Sequence, residues 1–215
     1  MTVLDAAGPP RVDHGSLALA GTRAYWLRDE QPQSALLATG SVQVPRRKGG
    51  DCRVRGRTVA SNAYVRVYAR ENRPFSSVYY ACELERGRTR RLGRWDTLMG
   101  GVGPAFALNG HAVAFQEVHC DDAPCTGMLL VEDVRRRATR VAKQYPGPPF
   151  AMEATDLVPA DDGAVVVGGR GGVVHIGREG NERQLDAGIE PGSLPTAGTR
   201  LYWTRDGLPR TAVLP

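Results

Sequence analysis

Residues 15–37, GSLALAGTRAYWLRDEQPQSALL, return near the other end of the chain as residues 192–214, GSLPTAGTRLYWTRDGLPRTAVL. The two stretches align without a gap at an offset of 177, and 14 of 23 positions are identical. Internal self-similarity of this kind marks a repeated supersecondary unit. Each copy reads as paired strands. A short apolar strand ends at Ala20-Gly21 or Ala197-Gly198, where glycine takes a positive φ at no steric cost. Arg23–Arg28 or Arg200–Arg205 follows, rich in aromatic and β-favouring residues. A turn of favoured composition comes next, around Asp29–Pro32 or Asp206–Pro209, and then a third strand over Ser34–Ala38 or Thr211–Leu214.

Weaker copies lie between the two. Ala105–Gly110 precedes HAVAFQEVH and GMLLVEDV, Asp156–Gly163 precedes AVVVGG and GVVHIG, and Thr58–Asn62 precedes YVRVYARE and SSVYYACELE. In the last of these Asn62 stands where the others have glycine, asparagine being tolerant of the left-handed conformation. The markers 21, 62, 110, 163 and 198 are 41, 48, 53 and 35 residues apart, close to the length of a four-stranded propeller blade. Leu84–Leu92, Val131–Val141 and Ile176–Leu185 read as a third strand, polar turn and fourth strand, their charge suiting a solvent-facing edge.

Nearly the whole chain thus resembles β-propellers in general. It has neither the Trp-Asp repeat of one large class, Trp95-Asp96 being a lone dipeptide, nor the Ser-x-Asp-x-Gly-x-Thr-Trp box of sialidase-like proteins. The resemblance implies an all-β propeller of about five four-stranded antiparallel blades in one domain, 1–215. The blades fall at 14–45, 52–95, 104–145, 155–188 and 192–215 plus 2–7. Leu4-Asp5-Ala6-Ala7 resembles Leu185-Asp186-Ala187, so Thr2–Ala7 is expected to complete the C-terminal blade beside Thr211–Leu214. The competing architecture is a two-domain β-sandwich, since strand spacing alone does not separate the two.

Composition fits a globular chain: 41% hydrophobic, 24% charged, with 26 Gly and 15 Pro for many tight turns. No apolar run approaches a membrane span. Met1–Gly8 lacks the basic and apolar segments of a signal peptide, which for an exported protein implies a mature form or an added Met. The net charge of +5 is almost all arginine, Lys48 and Lys143 being the two lysines. These cations are spread along the chain, with runs only at Arg46–Lys48 and Arg135–Arg137, unlike the concentrated footprint of a nucleic-acid binder.

Cys120 and Cys125 bracket a turn and are expected to staple it, leaving Cys52 and Cys82 as a second disulfide. The second pair needs Cys52 in a connecting segment folded over the blade edge, because first and third strands lie too far apart. A zinc site on His119, Cys120 and Cys125 lacks a second ligand pair. Two disulfides imply a secreted, cell-surface or periplasmic location.

The candidate ligand-binding residues are Tyr25, Trp26, Arg28 and Asp29 with their copies Tyr202, Trp203, Arg205 and Asp206, an aromatic platform with a donor and an acceptor. The alternative for the same residues is structural: Asp caps a turn, and strand alternation sends one ring of each pair to the core. Asp121-Asp122 and Asp161-Asp162 read as turn residues rather than a glycosidase pair. His14, His111, His119 and His175 are scattered, Gly168–Gly172 lacks the features of a phosphate loop, and no Gly-x-Ser-x-Gly elbow is present. These readings imply no catalytic residue, cofactor or metal. The expected function is a monomeric, non-catalytic extracellular module that binds a protein or glycan. The alternatives are a carbohydrate-cleaving hydrolase or lyase and a structural module of a cell-surface assembly.

Overall fold

In the computed structural model the described residues are 16–20, 23–36, 52, 55–96, 100–120, 125–146, 154–159, 164–169, 172–197 and 199–214. They form antiparallel β-sheet throughout, with no helix among them. The first repeat is a three-stranded meander, β1 (Ala18–Ala20), β2 (Arg23–Arg28) and β3 (Gln31–Leu36). Two four-stranded meanders follow: β4 (Arg57–Ser61) to β7 (Arg88–Asp96) through β5 (Val65–Arg73) and β6 (Ser76–Glu83), then β8 (Gly100–Asn109) to β11 (Ala138–Pro146) through β9 (Ala112–His119) and β10 (Thr126–Asp133). A two-pair ladder, Trp95 opposite Gly101 and Asp96 opposite Gly100, fuses them into one eight-stranded sheet. The fourth unit is β12 (Ala154–Pro159), β13 (Val165–Gly169), β14 (Gly172–Ile176) and β15 (Glu182–Asp186). The fifth is β16 (Thr196–Ala197), β17 (Arg200–Arg205) and β18 (Leu208–Val213).

The inner strands β9, β13 and β17 are buried on both faces because their units are covered on both sides. Val65, Val67 and Ala69 of the second unit pack with Val113 and Phe115 of the third. Ala112 and Ala114, on the other face of β9, meet Val165 and Val167 of the fourth unit. Val166 and Val173 in turn pack against Leu201 and Trp203 of the fifth. Finally Tyr25 and Leu27 of the first repeat pack on Tyr202, with a 2.7 Å hydrogen bond between the Tyr25 and Thr204 hydroxyls. Among the described residues the units therefore stack in the order two, three, four, five, one.

The last contact has a particular geometry. Tyr25 and Tyr202 are matched across the 177-residue offset, and their rings lie 6.0 Å apart. The two copies meet through the same face, an isologous contact. Blades related by rotation about a ring axis stack unlike faces, so this contact is not the one that the expected ring implies. Thr2–Ala7 lie outside the described residues.

Local detail agrees with the repeat. Ser16 Oγ accepts the Leu27 amide at 3.1 Å, and Ser193 Oγ accepts the Thr204 amide at 3.1 Å, the same bond in both copies. Both hairpins turn on two residues of positive φ, Asp29-Glu30 and Asp206-Gly207, the backbone of a tight hairpin that follows sheet twist. The third strands begin earlier than expected, at Gln31 and Leu208, because the turn takes only two residues. Pro32 and Pro209 then sit within β3 and β18, outermost among the described strands, where a missing N–H is tolerated.

One marker needs correction. Gly110 has the expected positive φ, whereas Asn62 does not; Gly21, Gly163 and Gly198 lie outside the described residues. Asn62 acts through its side chain. Its Oδ1 accepts the amides of Tyr64 and Val65, and its Nδ2 donates to the Gly110 carbonyl of the next unit at 3.0 Å. Asn109 donates in the same manner to Pro159 O at 3.0 Å.

Candidate functional site

Four first strands converge at one place. β1, β8, β12 and the segment leading into β16 line a half-open cavity of about 490 Å³, within the range of small-ligand sites. Leu19, Phe106, Leu108 and Leu157 give its wall apolar surface, while Gln116 and Thr196 add polar groups. Asp156 is the single carboxylate among the described lining residues, and its Oδ2 accepts the Gly192 amide at 2.9 Å. A two-carboxylate reaction would need a second acid here.

The residues singled out from the sequence sit elsewhere in the units. Tyr25 and Tyr202 are fully buried against one another, and Trp26 and Trp203 are 6% and 3% exposed. The rings are core rather than an open platform. Desolvation raises the Tyr25 hydroxyl above its usual pKa, against the hydrogen bond to Thr204. Asp29 and Asp206 occupy the exposed hairpin turns, and Arg28 and Arg205 end the preceding strands.

Around Trp203 the structure builds a clasp between units. Asp186, closing β15 of the fourth unit, accepts the Trp203 indole N–H at 2.8 Å and pairs with Arg205 Nη1 at 2.5 Å. Burial works to raise the Asp186 carboxyl, but the bonds from Trp203, Arg205 and the Ala187 amide outweigh it and hold it below its ordinary value. The matching Trp26 Nε1 is buried with no hydrogen-bond partner among the described residues. Asp186 belongs to the fourth-strand pattern Leu-Asp-Ala, which the sequence shows but to which no pairing role could be attached.

A second link joins units two and three. Arg90 of β7 pairs with Glu132 of β10 at 2.6 Å and donates to Thr139 Oγ1 at 2.6 Å; Thr139 also donates to Glu132. Burial raises the Glu132 pKa, with Thr139 and Arg90 opposing.

Both expected disulfides form. Cys52 and Cys82 have Cα atoms 6.2 Å apart, and Cys120 and Cys125 4.3 Å. Cys82 lies on β6 and Cys52 precedes β4 outside any strand, so the bridge crosses the sheet by way of a connecting segment. Of the histidines, His175 is buried in β14, His111 packs on Tyr64 at 4.9 Å between ring centroids, and His119 lies 3.6 Å from Glu117. His14, Asp121, Asp122, Asp161 and Asp162 lie outside the described residues. Among those described, no three His, Cys, Asp or Glu side chains cluster as metal ligands, and no helix is long and apolar enough to cross a membrane.

Known proteins add a fold comparison. The chain matches no family model and no curated protein. It is similar in structure to an oligogalacturonate lyase in complex with manganese, at 14% identity and a TM-score of 0.42, covering 92% of this chain and 62% of that one. It is also similar to TolB from Acinetobacter baumannii, at 14% identity and a TM-score of 0.40, covering 92% and 49%. Both are β-propellers. The chain spans about 62% and 49% of these two structures.

Proposed function

We propose that this chain is a non-catalytic extracytoplasmic binding module of five propeller-type units, whose ligand enters the cavity between the first strands. The observation that carries this reading is the cavity itself. Strands from four units line it, its wall mixes apolar side chains with Gln116 and Thr196, and its one described carboxylate is engaged by a backbone amide. Such a wall suits capture of a small glycan or a peptide segment. The two disulfides support an oxidising compartment. In this reading Thr2–Ala7 adds a fourth strand along the edge of β18, matching β7, β11 and β15 in the middle units.

The test is a thermal-shift screen of glycans and short peptides on the parent and on Leu19→Arg. Leu19 is 45% exposed at the cavity wall, so the variant should fill the space without disturbing the core. The expected result is a ligand class that stabilises the parent and not the variant. Equal stabilisation of both would place the ligand elsewhere. Cleavage of an oligosaccharide that is lost in Asp156→Asn would replace this reading with the carbohydrate-cleaving one.

A further inference from the structure

The second unit has one face turned away from its neighbour, and arginine dominates it. Strand β5 sends Val65, Val67 and Ala69 into the core, so Arg66, Tyr68 and Arg70 point to the opposite side. Tyr68 stacks on Tyr80 with centroids 5.3 Å apart and planes 12° from parallel. A strap covers part of this stack. Cys52 is tied to Cys82 by the disulfide, and Arg66 donates to the carbonyls of Cys52 and Gly56, at 3.4 and 3.0 Å, and to Thr58 Oγ1 at 2.8 Å. Gly56 must be glycine here, since a Cβ would lie 2.7 Å from the Tyr68 ring.

The strap also fixes Arg70. Its Nε donates to the Arg55 carbonyl at 3.0 Å, and its guanidinium carbon lies over the Tyr80 and Tyr68 rings, 5.4 and 5.9 Å from their centroids. Among the described residues its terminal nitrogens have no hydrogen-bond partner, which leaves a planar two-donor edge held in place. Arg55 and Arg57 flank it, neither ion-paired among the described residues. With Ala69 and Glu71 they wall an open cavity of about 690 Å³. A preoriented guanidinium edge matches the two oxygens of a carboxylate or sulfate.

We infer that this face binds an acidic saccharide, one carboxylate or sulfate seated on Arg70 and its neighbours on Arg55 and Arg57. The Ala69 methyl packs into the core on the other face of β5, so the described lining offers no apolar anchor site. A docked peptide would need a pocket for an apolar anchor, whereas a polar, charged chain needs none. Glu71 at the rim opposes an anion and limits affinity. The disulfide is part of the site, because reduction frees the strap that orients Arg70.

Isothermal titration of the full chain at low and at raised salt tests the inference. The probes are a sulfated heparin-type hexasaccharide, a uronate hexasaccharide and a polyglutamate peptide. Either saccharide should bind, more weakly at raised salt, with polyglutamate clearly weaker. Arg70→Lys keeps the charge but loses the flat two-donor edge, and should weaken binding about tenfold. Arg57→Ala should weaken it and Glu71→Gln strengthen it, a pair that decides the matter even where Arg70→Lys folds poorly. Arg135→Ala and Leu19→Arg should change nothing, which keeps this site distinct from the first-strand cavity. The inference is overturned by failure of both saccharides to bind, by equal losses in Arg135→Ala and Arg57→Ala, or by tighter binding of polyglutamate.

Discussion

Replacing Asp186 by alanine removes one carboxylate and disturbs two partners. Trp203 is 3% exposed, and its indole N–H loses its acceptor at 2.8 Å. A buried donor left unpaired costs about 1–3 kcal/mol. Arg205 is 40% exposed, so solvent screens its ion pair and its loss adds little. The cost is therefore about 1–3 kcal/mol, or about 3–9 °C in Tm for a chain of this size. Asp186→Asn separates the two contributions. Its amide oxygen still accepts from Trp203, so it should melt within about 3 °C of the parent. Acid sensitivity gives an independent check. The folded carboxyl is held below its unfolded value of 3.8, so the stability it contributes is complete above that pH and is lost as pH falls through the folded value. Asp186→Asn should lose stability less steeply than the parent below pH 3.8. The assay is thermal unfolding followed by circular dichroism across that range. An Asp186→Ala protein that melts with the parent at neutral pH would refute the reasoning.

Glu132 has the opposite sign. Its folded pKa is raised by burial, so the native state holds the proton longer and stability falls as pH rises from the unfolded value of 4.5 through the folded one. Glu132→Gln should flatten that slope in the same unfolding experiment. Glu30 takes positive φ at the position where the other copy has Gly207, so Glu30→Gly should raise stability by about 0.5–1 kcal/mol, measured by denaturant midpoint. A Cβ on Gly101 would lie 1.9 Å from the Arg94 carbonyl oxygen at a φ of +117°, so Gly101→Ala should cost about 2 kcal/mol or more and loosen the ladder between β7 and β8 in hydrogen exchange. Removing residues 1–8 should lower Tm by several degrees if Thr2–Ala7 extends the β18 sheet, and leave it unchanged if not.

The repeat, the hairpin turns and the Cys120–Cys125 bridge were legible because each rests on sequence pattern: a self-match at an offset of 177, turn-favouring residues after Asp29 and Asp206, and two cysteines around a four-residue turn. The Cys52–Cys82 bridge followed by elimination. The stacking of units was not legible. Strand pairing follows from neighbouring sequence, but which face of one sheet meets which face of the next depends on packing between residues up to 179 positions apart, as for Tyr25 and Thr204. The same limit applies to the site residues. Tyr-Trp followed by Arg-Asp looks alike in an exposed platform and in a buried clasp, and the burial of Trp203 beside Asp186 decides between them only in three dimensions. The Arg70 face was equally hidden, since the two tyrosines that support it come from different strands and its strap is positioned by a disulfide.

Leu19 of β1 reaches the cavity between the first strands from the first repeat and Thr196 from the last, so its wall is complete only where the two end repeats meet. The Tyr25–Thr204 hydrogen bond is the most direct mark of that meeting. A double-mutant cycle of Tyr25→Phe and Thr204→Val, read by chemical denaturation, measures it. The account predicts a coupling of about 1 kcal/mol between the two positions. Additive effects, agreeing within about 0.3 kcal/mol, would mean that the first repeat does not pack on the last.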